Sequence, residues 1–360
     1  MNPDEPFPPP ALRRAAETAA RGAAKADEHR VLSAEVAESL VAAGFSRHFV
    51  PARWGGADGA ATGLVRAAAT VGEGCASAAW CGAVAAGSSR MGVYLPEEGQ
   101  AELWADGPDT RVVGALVPAG RAERTDGGWL VSGSWDFTSG VDHSDWAFVC
   151  APDADARPWF FAVPRSGYRI RDTWHNVGMR GTGSNTLVLD GVSVPAHRAF
   201  DRAEMLAGRA VGSRSPCHTV PLRGVSGLIF AAPALGAARG AAREWTTRFR
   251  GGGETARLAA ARAAGAINVA DLLLETAAAR CDRGGLTPEE SLRQPYDCAL
   301  AVDHLVDAVE GLFRGAGSRG QLAASPLQRF WRDVHCLASH VALRREPAAV
   351  AYGGHLLDAE

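Results

Sequence analysis

The sequence predicts an α+β fold that is mostly α, with helices first, a block of strands second and a helical bundle last. Three observations carry this. Residues 11–105 are rich in alanine and other helix formers. Residues 108–200 switch to alternating, β-branched and aromatic runs separated by Gly, Pro and Asp clusters. Residues 219–345 return to apolar positions spaced by three and four. The chain therefore divides into an N-terminal helical domain (1–105), a central antiparallel β domain (106–205) and a C-terminal helical bundle (206–360).

In order along the chain, Leu12 to Ala43 reads as one or two helices closed by Gly44. Further helices fill about 66–105, with Pro96 marking a turn or a new start. Strands are expected at Arg111–Val117, Trp129–Phe137, Trp146–Cys150, Trp159–Val163 and Thr186–Val194, and Asp126-Gly127-Gly128 is a hairpin turn. The bundle helices show apolar stripes: Leu222, Val225, Leu228, Ile229 and Leu235; then Leu305, Val309, Leu312 and Phe313; then Leu327, Phe330, Trp331, Val334 and Val341.

Bulk properties exclude several functions. Lys+Arg 37 against Asp+Glu 40 gives a net charge of -3, with no basic surplus for nucleic acid. Met1 to Pro10 is acidic and proline-rich, unlike a signal peptide, and the richest apolar stretch, Leu228–Ala238, is short and interrupted by Pro233. Seven scattered cysteines without a CxxC pair fit reduced thiols. A cytoplasmic protein that binds neither membrane nor nucleic acid is expected.

Residues 315–320 spell GxGxxG, but a helical stripe precedes them where a dinucleotide site needs a strand, so they read as a glycine-rich helix end. No P-loop, HExxH or GxSxG occurs. His335 and His340, five apart on a helix, would lie about 140° apart, so no metal site is expected. The informative region runs from Trp135-Asp136-Phe137-Thr138-Ser139-Gly140 to Gly178-Met179-Arg180-Gly181-Thr182-Gly183-Ser184. Glycines admit close approach, hydroxyls offer hydrogen bonds and aromatics offer stacking faces, which suits a flat heteroaromatic cofactor. On composition alone, a tryptophan-rich sandwich core with serine turns fits as well.

These stretches resemble the acyl-CoA dehydrogenase superfamily, and within it the two-component flavin-dependent monooxygenases. Ala43-Gly44-Phe45 with Val50-Pro51 to Gly55-Gly56 resembles the family's early signature. Cys75 to Trp80 resembles its small-residue run ending in tryptophan, Trp135 to Gly140 its "WxFxSG" strand, and Gly178 to Ser184 its "GlrgTGS" strand. Arg329 to His335, with His340, resembles its last helix. The matches follow the family's order along nearly the whole chain.

The resemblance implies a homotetramer that receives reduced FMN or FAD from a separate flavin reductase and uses dioxygen to hydroxylate a small aromatic or nitrogen-bearing molecule, in aromatic or natural-product metabolism. It implies a flavin site of Trp135, Phe137, Thr138, Ser139, Gly140, Arg180, Thr182 and Ser184. It makes Ser139 and His340 catalytic, and puts Trp80 and Ser88 at the substrate. Ser88 stands where several phenol hydroxylases of the family carry a histidine. The tail lacks the glutamate of the dehydrogenases, which disfavours the alternative of an acyl-CoA or acyl-carrier-protein dehydrogenase, and the family's C-terminal arm reads as trimmed.

Overall fold

A computed structural model describes residues 6–358; the first five residues of the acidic, proline-rich start lie outside them. Five helices open the chain: α1 (Pro9–His29), α2 (Ala34–Ala42), α3 (Ala61–Gly72), α4 (Ala76–Met91) and α5 (Glu97–Leu103). Helix α1 stops at Arg30, which takes a left-handed conformation with φ 62°, and Ser33 caps α2 by accepting from the Val36 N–H. The span read as one or two helices is thus two. Small residues let α4 pack on α3 and on the bundle with most of its length buried.

Eight strands follow: β1 (Val112–Ala115), β2 (Arg121–Thr125), β3 (Gly128–Thr138), β4 (Trp146–Pro152), β5 (Pro158–Pro164), β6 (Arg169–Arg171), β7 (Asn185–Pro195) and β8 (Ala199–Asp201). They form two four-stranded sheets, ordered β1-β4-β5-β8 and β2-β3-β7-β6. Trp129, Trp135, Phe161 and Leu187 fill the space between them. The Asp126-Gly127 turn joins β2 to β3 with Thr125 opposite Gly128. The expectation of a wholly antiparallel domain is corrected at one pair, because β1 and β4 run parallel. The chain leaves the first sheet after β1, builds the β2–β3 hairpin in the second, and returns in the original direction. Sequence reading also missed β2, whose Arg121, Glu123 and Arg124 face solvent and leave only Ala122 to signal burial.

The remainder is α6 (Arg202–Ala207), α7 (Pro216–Thr219), α8 (Leu222–Arg248), α9 (Glu254–Arg283), α10 (Pro288–Gly315), α11 (Gly317–Gly320), α12 (Pro326–Ala338) and α13 (Arg345–Asp358). Helix α8 lies at the centre, packed on α3, α4, α9, α10 and α12. It runs through Pro233, which lies within the predicted Leu222–Leu235 stripe. Proline costs a helix interior about 3 kcal/mol, and contact with five helices offsets that loss. By length and composition α8 could cross a membrane, and it is the one such helix among the described residues. Its most apolar window is 78% buried within the protein. The GxGxxG segment falls at the end of α10 and in α11, with no strand before it.

Candidate active site

The Trp135–Gly140 motif ends β3 at an irregularity in its pairing with β7, between Trp135 and Thr138. Phe137 adopts a positive φ of 60° there. The kink breaks the strand's alternation. Trp135 turns inward, where its Nε1–H donates to the Cys150 carbonyl at 2.7 Å. Phe137 turns outward, 74% exposed and edge-on to Trp174 at 6.0 Å. Thr138 is fully buried and donates to the Trp135 carbonyl at 3.2 Å. Trp135 and Thr138 therefore belong to the sandwich interior, away from the face that Phe137 presents. Gly140, at φ 73°, donates its N–H to the Thr182 carbonyl at 2.8 Å and so ties the two glycine-rich stretches together.

The second stretch is a tight loop around the short turn Arg180–Thr182, flanked by left-handed residues Met179 and Gly183. Asp333 of α12 holds it by accepting the Met179 N–H at 2.6 Å. Burial pushes the Asp333 carboxyl up to about 6. Arg180 reaches back to α1, donating to the Asp27 carbonyl at 2.7 Å and to the Asn176 carbonyl at 3.0 Å. Two of its five N–H donors are thereby engaged, one on α1 and one on the loop.

Where the two stretches meet, three hydroxyls form a chain. Ser139 Oγ lies 2.8 Å from Ser184 Oγ, Ser184 Oγ lies 2.6 Å from Thr182 Oγ1, and Thr182 donates to the Met179 carbonyl at 2.8 Å. From α4, Trp80 donates its Nε1–H to Ser139 Oγ at 2.9 Å. The Trp80 ring continues the line into the bundle, 5.0 Å from Phe230 of α8 and 5.4 Å edge-on to His340. His340 rests on Phe230 at 4.0 Å. The sequence-predicted pair Ser139 and His340 is thus brought together through one indole.

His340 does not lie on the last helix of its motif. Helix α12 ends at Ala338, and His340 caps the following turn, its Nδ1 accepting the Ala342 N–H at 3.2 Å. Desolvation lowers its pKa to about 4. The ring is neutral near neutral pH, and because Nδ1 accepts, the single ring proton sits on Nε2. Among the described residues Nε2 has no hydrogen-bond partner. His335 is instead a packing residue on α12: its Nδ1 lies 2.8 Å from the Trp331 carbonyl, and its ring lies tilted against Trp331 at 4.6 Å.

Ser88 is not in this group. It is buried two turns further along α4, against Gly114 of β1, about 12 Å from Trp80 by helical rise. Two residues of the site escaped sequence reading as site residues. Phe230 carries no signal beyond one more apolar position on α8, and Asp333 was visible only inside the motif of α12. As for a metal, Asp58, Cys217 and His218 converge, but both His218 nitrogens are engaged, by Ser213 Oγ and by the Phe49 carbonyl, each at 2.7 Å.

A family model described as "Acyl-CoA dehydrogenase, C-terminal domain" matches residues 228–345. The chain is 31% identical over 356 residues to the flavin-dependent monooxygenase oxygenase subunit HsaA of Mycobacterium tuberculosis, covering 91% of this chain and 90% of the relative. It is 30% identical to the oxygenase component of the FADH(2)-dependent resorcinol hydroxylase of a Rhizobium species, covering 94% of this chain and 91% of the relative. The crystal structure of the 3-HSA hydroxylase from Rhodococcus sp. RHA1 superposes with a TM-score of 0.91 at 28% identity, covering 96% of this chain and 95% of the other.

Proposed function

Since the chain belongs to the family of flavin-dependent monooxygenase oxygenase subunits, built on the acyl-CoA dehydrogenase fold, we propose that it uses reduced flavin and dioxygen to hydroxylate a small aromatic substrate. It is an oxidoreductase of the two-component type, so a separate reductase supplies the reduced flavin. The observation that carries the reading is the line Ser139–Trp80–Phe230–His340, where buried hydroxyls, aromatic faces and a neutral imidazole converge.

The residues fit a flavin. Phe137 is an exposed aromatic face held out by a positive φ, with Trp174 at its edge, and it offers one wall for a planar ring. Ser139, with Ser184 and Thr182 behind it, offers oxygens to the heteroatoms of such a ring, and Gly140 keeps side chains clear of it. Trp135, Thr138 and Arg180 brace these elements from behind. Bound FMN or FAD would supply the oxygen-activating chemistry. The protein's share is to orient the substrate, exclude water and hold protons in place. His340 does the last as a neutral Nε2–H donor beside the aromatic faces of Phe230 and Trp80, on which an aromatic substrate would stack.

Acyl-thioester dehydrogenation needs a carboxylate base. Among the described residues, no carboxylate bonds to Trp80, Ser139 or His340, which favours the monooxygenase.

We also infer a homotetramer. Helix α9 exposes Val269 and Leu272, and α13 buries none of its residues in the single chain; other copies of the chain would cover these faces. The ends of α5 at Leu103 and β8 at Asp201 support domain divisions near 105 and 205. Seven free cysteines support a cytoplasmic setting.

The test supplies the protein with NADH, a flavin reductase, each flavin and isotopically labelled dioxygen, and offers it a panel of phenols. One labelled oxygen in a hydroxylated product is expected. Hydrogen peroxide as the sole product with every phenol, despite bound flavin, would sink the reading.

A further inference from the structure

Asp58, Cys217 and His218 form a cluster that shares no residue with the Ser139–Trp80–His340 line. Cys217 and His218 are neighbours on α7, and Asp58 sits on the loop that leads into α3. One atom from each, a carboxylate oxygen, Sγ and a ring nitrogen, lies within 4.8 Å of the other two. Asp58 Oδ1 is 3.7 Å from His218 Nδ1. Both backbones are anchored in this pose. Arg90 of α4 donates to the Cys217, His218 and Val220 carbonyls, and the Tyr94 hydroxyl donates to the His218 carbonyl at 2.9 Å. The Asp58 and Gly59 N–H groups donate to the Val50 and His48 carbonyls at 3.2 and 2.7 Å.

The two engaged nitrogens of His218 are not equivalent. The Phe49 carbonyl can only accept, so Nε2 carries the ring proton. Burial lowers the pKa of this fully buried ring and keeps it neutral. Its Nδ1 lone pair therefore faces Asp58 and Cys217. Metal-ligating histidines commonly donate their other N–H to a backbone carbonyl, which fixes the same tautomer. Nδ1 is held only by the Ser213 hydroxyl, and Ser213 is half-buried on a loop from which it can turn away.

The other two groups also lack a positive partner. Asp58 Oδ1 is buried and accepts no hydrogen bond. Among the described residues, Arg90 donates to the α7 carbonyls and Arg53 to Glu97, Gln100 and the Val211 carbonyl, so neither guanidinium bonds Asp58. Burial, with the Asp58 charge beside it, pushes the Cys217 thiol up to about 12. A buried carboxylate oxygen and an imidazole lone pair that face each other need a cation between them.

We infer that Asp58, Cys217 and His218 bind one zinc ion, with water in the fourth position. Zinc bonds of about 2.0–2.3 Å put tetrahedral ligand atoms about 3.3–3.6 Å apart. The 3.7 Å between Oδ1 and Nδ1 is close to that, and rotation of the half-buried Cys217 side chain brings in the sulfur. Ser213 Oγ, 2.7 Å from Nδ1, is too near to be a fellow ligand, so the ion displaces it. One thiolate, one imidazole and one carboxylate suit Zn2+, whereas Mg2+ and Ca2+ take oxygen ligands. The thiol releases its proton to solvent as the Zn–S bond forms, and no electron moves. The Asp58 side chain is 32% exposed, which gives the ion and its water a route in. The ion joins the loop before α3 to α7 and so fastens the N-terminal helices to the start of the bundle.

The experiment strips the full chain with a chelator and titrates it with Zn2+ against a chromophoric competitor, and separately with Co2+ by absorbance. One Zn2+ per chain is expected, with Kd about 1 μM or lower, and the Co2+ form should show a thiolate-to-metal charge-transfer band. Cys217→Ser should abolish that band. Asp58→Asn, which keeps the side chain's shape, should weaken Zn2+ binding by about ten- to a hundredfold. Ser213→Ala should tighten it by about two- to tenfold, because no hydroxyl need be displaced from Nδ1; damage to the fold could not produce that gain. Circular dichroism checks that each variant is folded. A wild-type Kd above about 100 μM would overturn the site. So would a charge-transfer band that survives Cys217→Ser, or a Zn2+ affinity that Asp58→Asn leaves unchanged.

Discussion

Gly178→Ala tests how the loop 176–179 and helix α12 are joined. A methyl group at Gly178 would lie 2.2 Å from the Arg332 carbonyl oxygen and 2.8 Å from Cys336 Cβ. Ordinary contact begins near 3.4 Å, so the loop and helix must part by about 1 Å; a backbone carbonyl within a helix cannot swing aside as a side chain would. That seam is stitched by three hydrogen bonds. The Met179 N–H donates to Asp333 at 2.6 Å, Asn176 donates to Cys336 Sγ at 2.9 Å, and the Arg332 guanidinium donates to the Val177 carbonyl. Two involve a charged group, worth about 1.5–3 kcal/mol each, and overpacking adds about 1–3 kcal/mol. The variant should lose about 4–9 kcal/mol, read as a fall in the urea midpoint by near-UV circular dichroism. At low temperature, where it stays folded, product formed per flavin oxidised should fall by at least tenfold. The seam anchors both the Met179 carbonyl and the segment carrying His340, and about 1 Å of misplacement can cost about a hundredfold in rate. A variant with the wild-type urea midpoint and unaltered coupling would refute the claim that this seam is tight and sets the site.

Asp333→Asn keeps an oxygen for the Met179 N–H but removes a carboxyl that burial pushes up to about 6. The folded value lies above the unfolded one near 3.8, so the wild type loses stability as pH rises from about 4 through 6, by up to about 3 kcal/mol. The stability difference, variant minus wild type, should grow across that window in urea titrations; a difference independent of pH would count against a buried carboxyl. His340→Gln should leave flavin affinity within about threefold while cutting product per NADH by about tenfold, the worth of one lost hydrogen bond, measured as excess hydrogen peroxide. Unchanged coupling removes His340 from the chemistry. If the proposed tetramer uses the exposed face of α9, Leu272→Asp should reduce the sedimenting species to a smaller assembly; an unchanged sedimentation coefficient would put any interface elsewhere.

Much of this was legible in the residues, and the failures have physical causes. The three-part order follows from spacing, and the Asp126-Gly127 hairpin from turn chemistry. Ser139, Thr182, Ser184 and Trp80 stood out as small hydroxyls and an indole in the right stretches, and they meet in space. Trp135 did not join them. Alternation would set Trp135 and Phe137 on one face, yet the kink at Phe137 sends one inward and the other out. A motif records neighbours in sequence and says nothing of a bulge. Ser88 was tied to the site by counting from Trp80, but eight residues carry it two helical turns away. Asp333 was beyond reach because its role depends on a loop about 150 residues earlier, whose approach to α12 exists only in the folded chain.

The state of His340 sets how the site handles a phenol. A ring whose pKa falls to about 4, with Nδ1 already accepting the Ala342 N–H, has no basic lone pair to offer near neutral pH. Ser88 occupies the position where several relatives in the resemblance carry a further histidine, and it is buried against β1. No carboxylate touches the Ser139–Trp80–His340 line among the described residues. A phenol bound here keeps its own proton or arrives without it. The alkaline-going limb of kcat/KM should therefore follow the substrate: across a series of fluorinated phenols, its midpoint should move with each phenol's own pKa, nearly one for one. A limb fixed near 6.5 for every phenol would mean that a protein imidazole takes the proton, and the donor role given to His340 would have to be reversed.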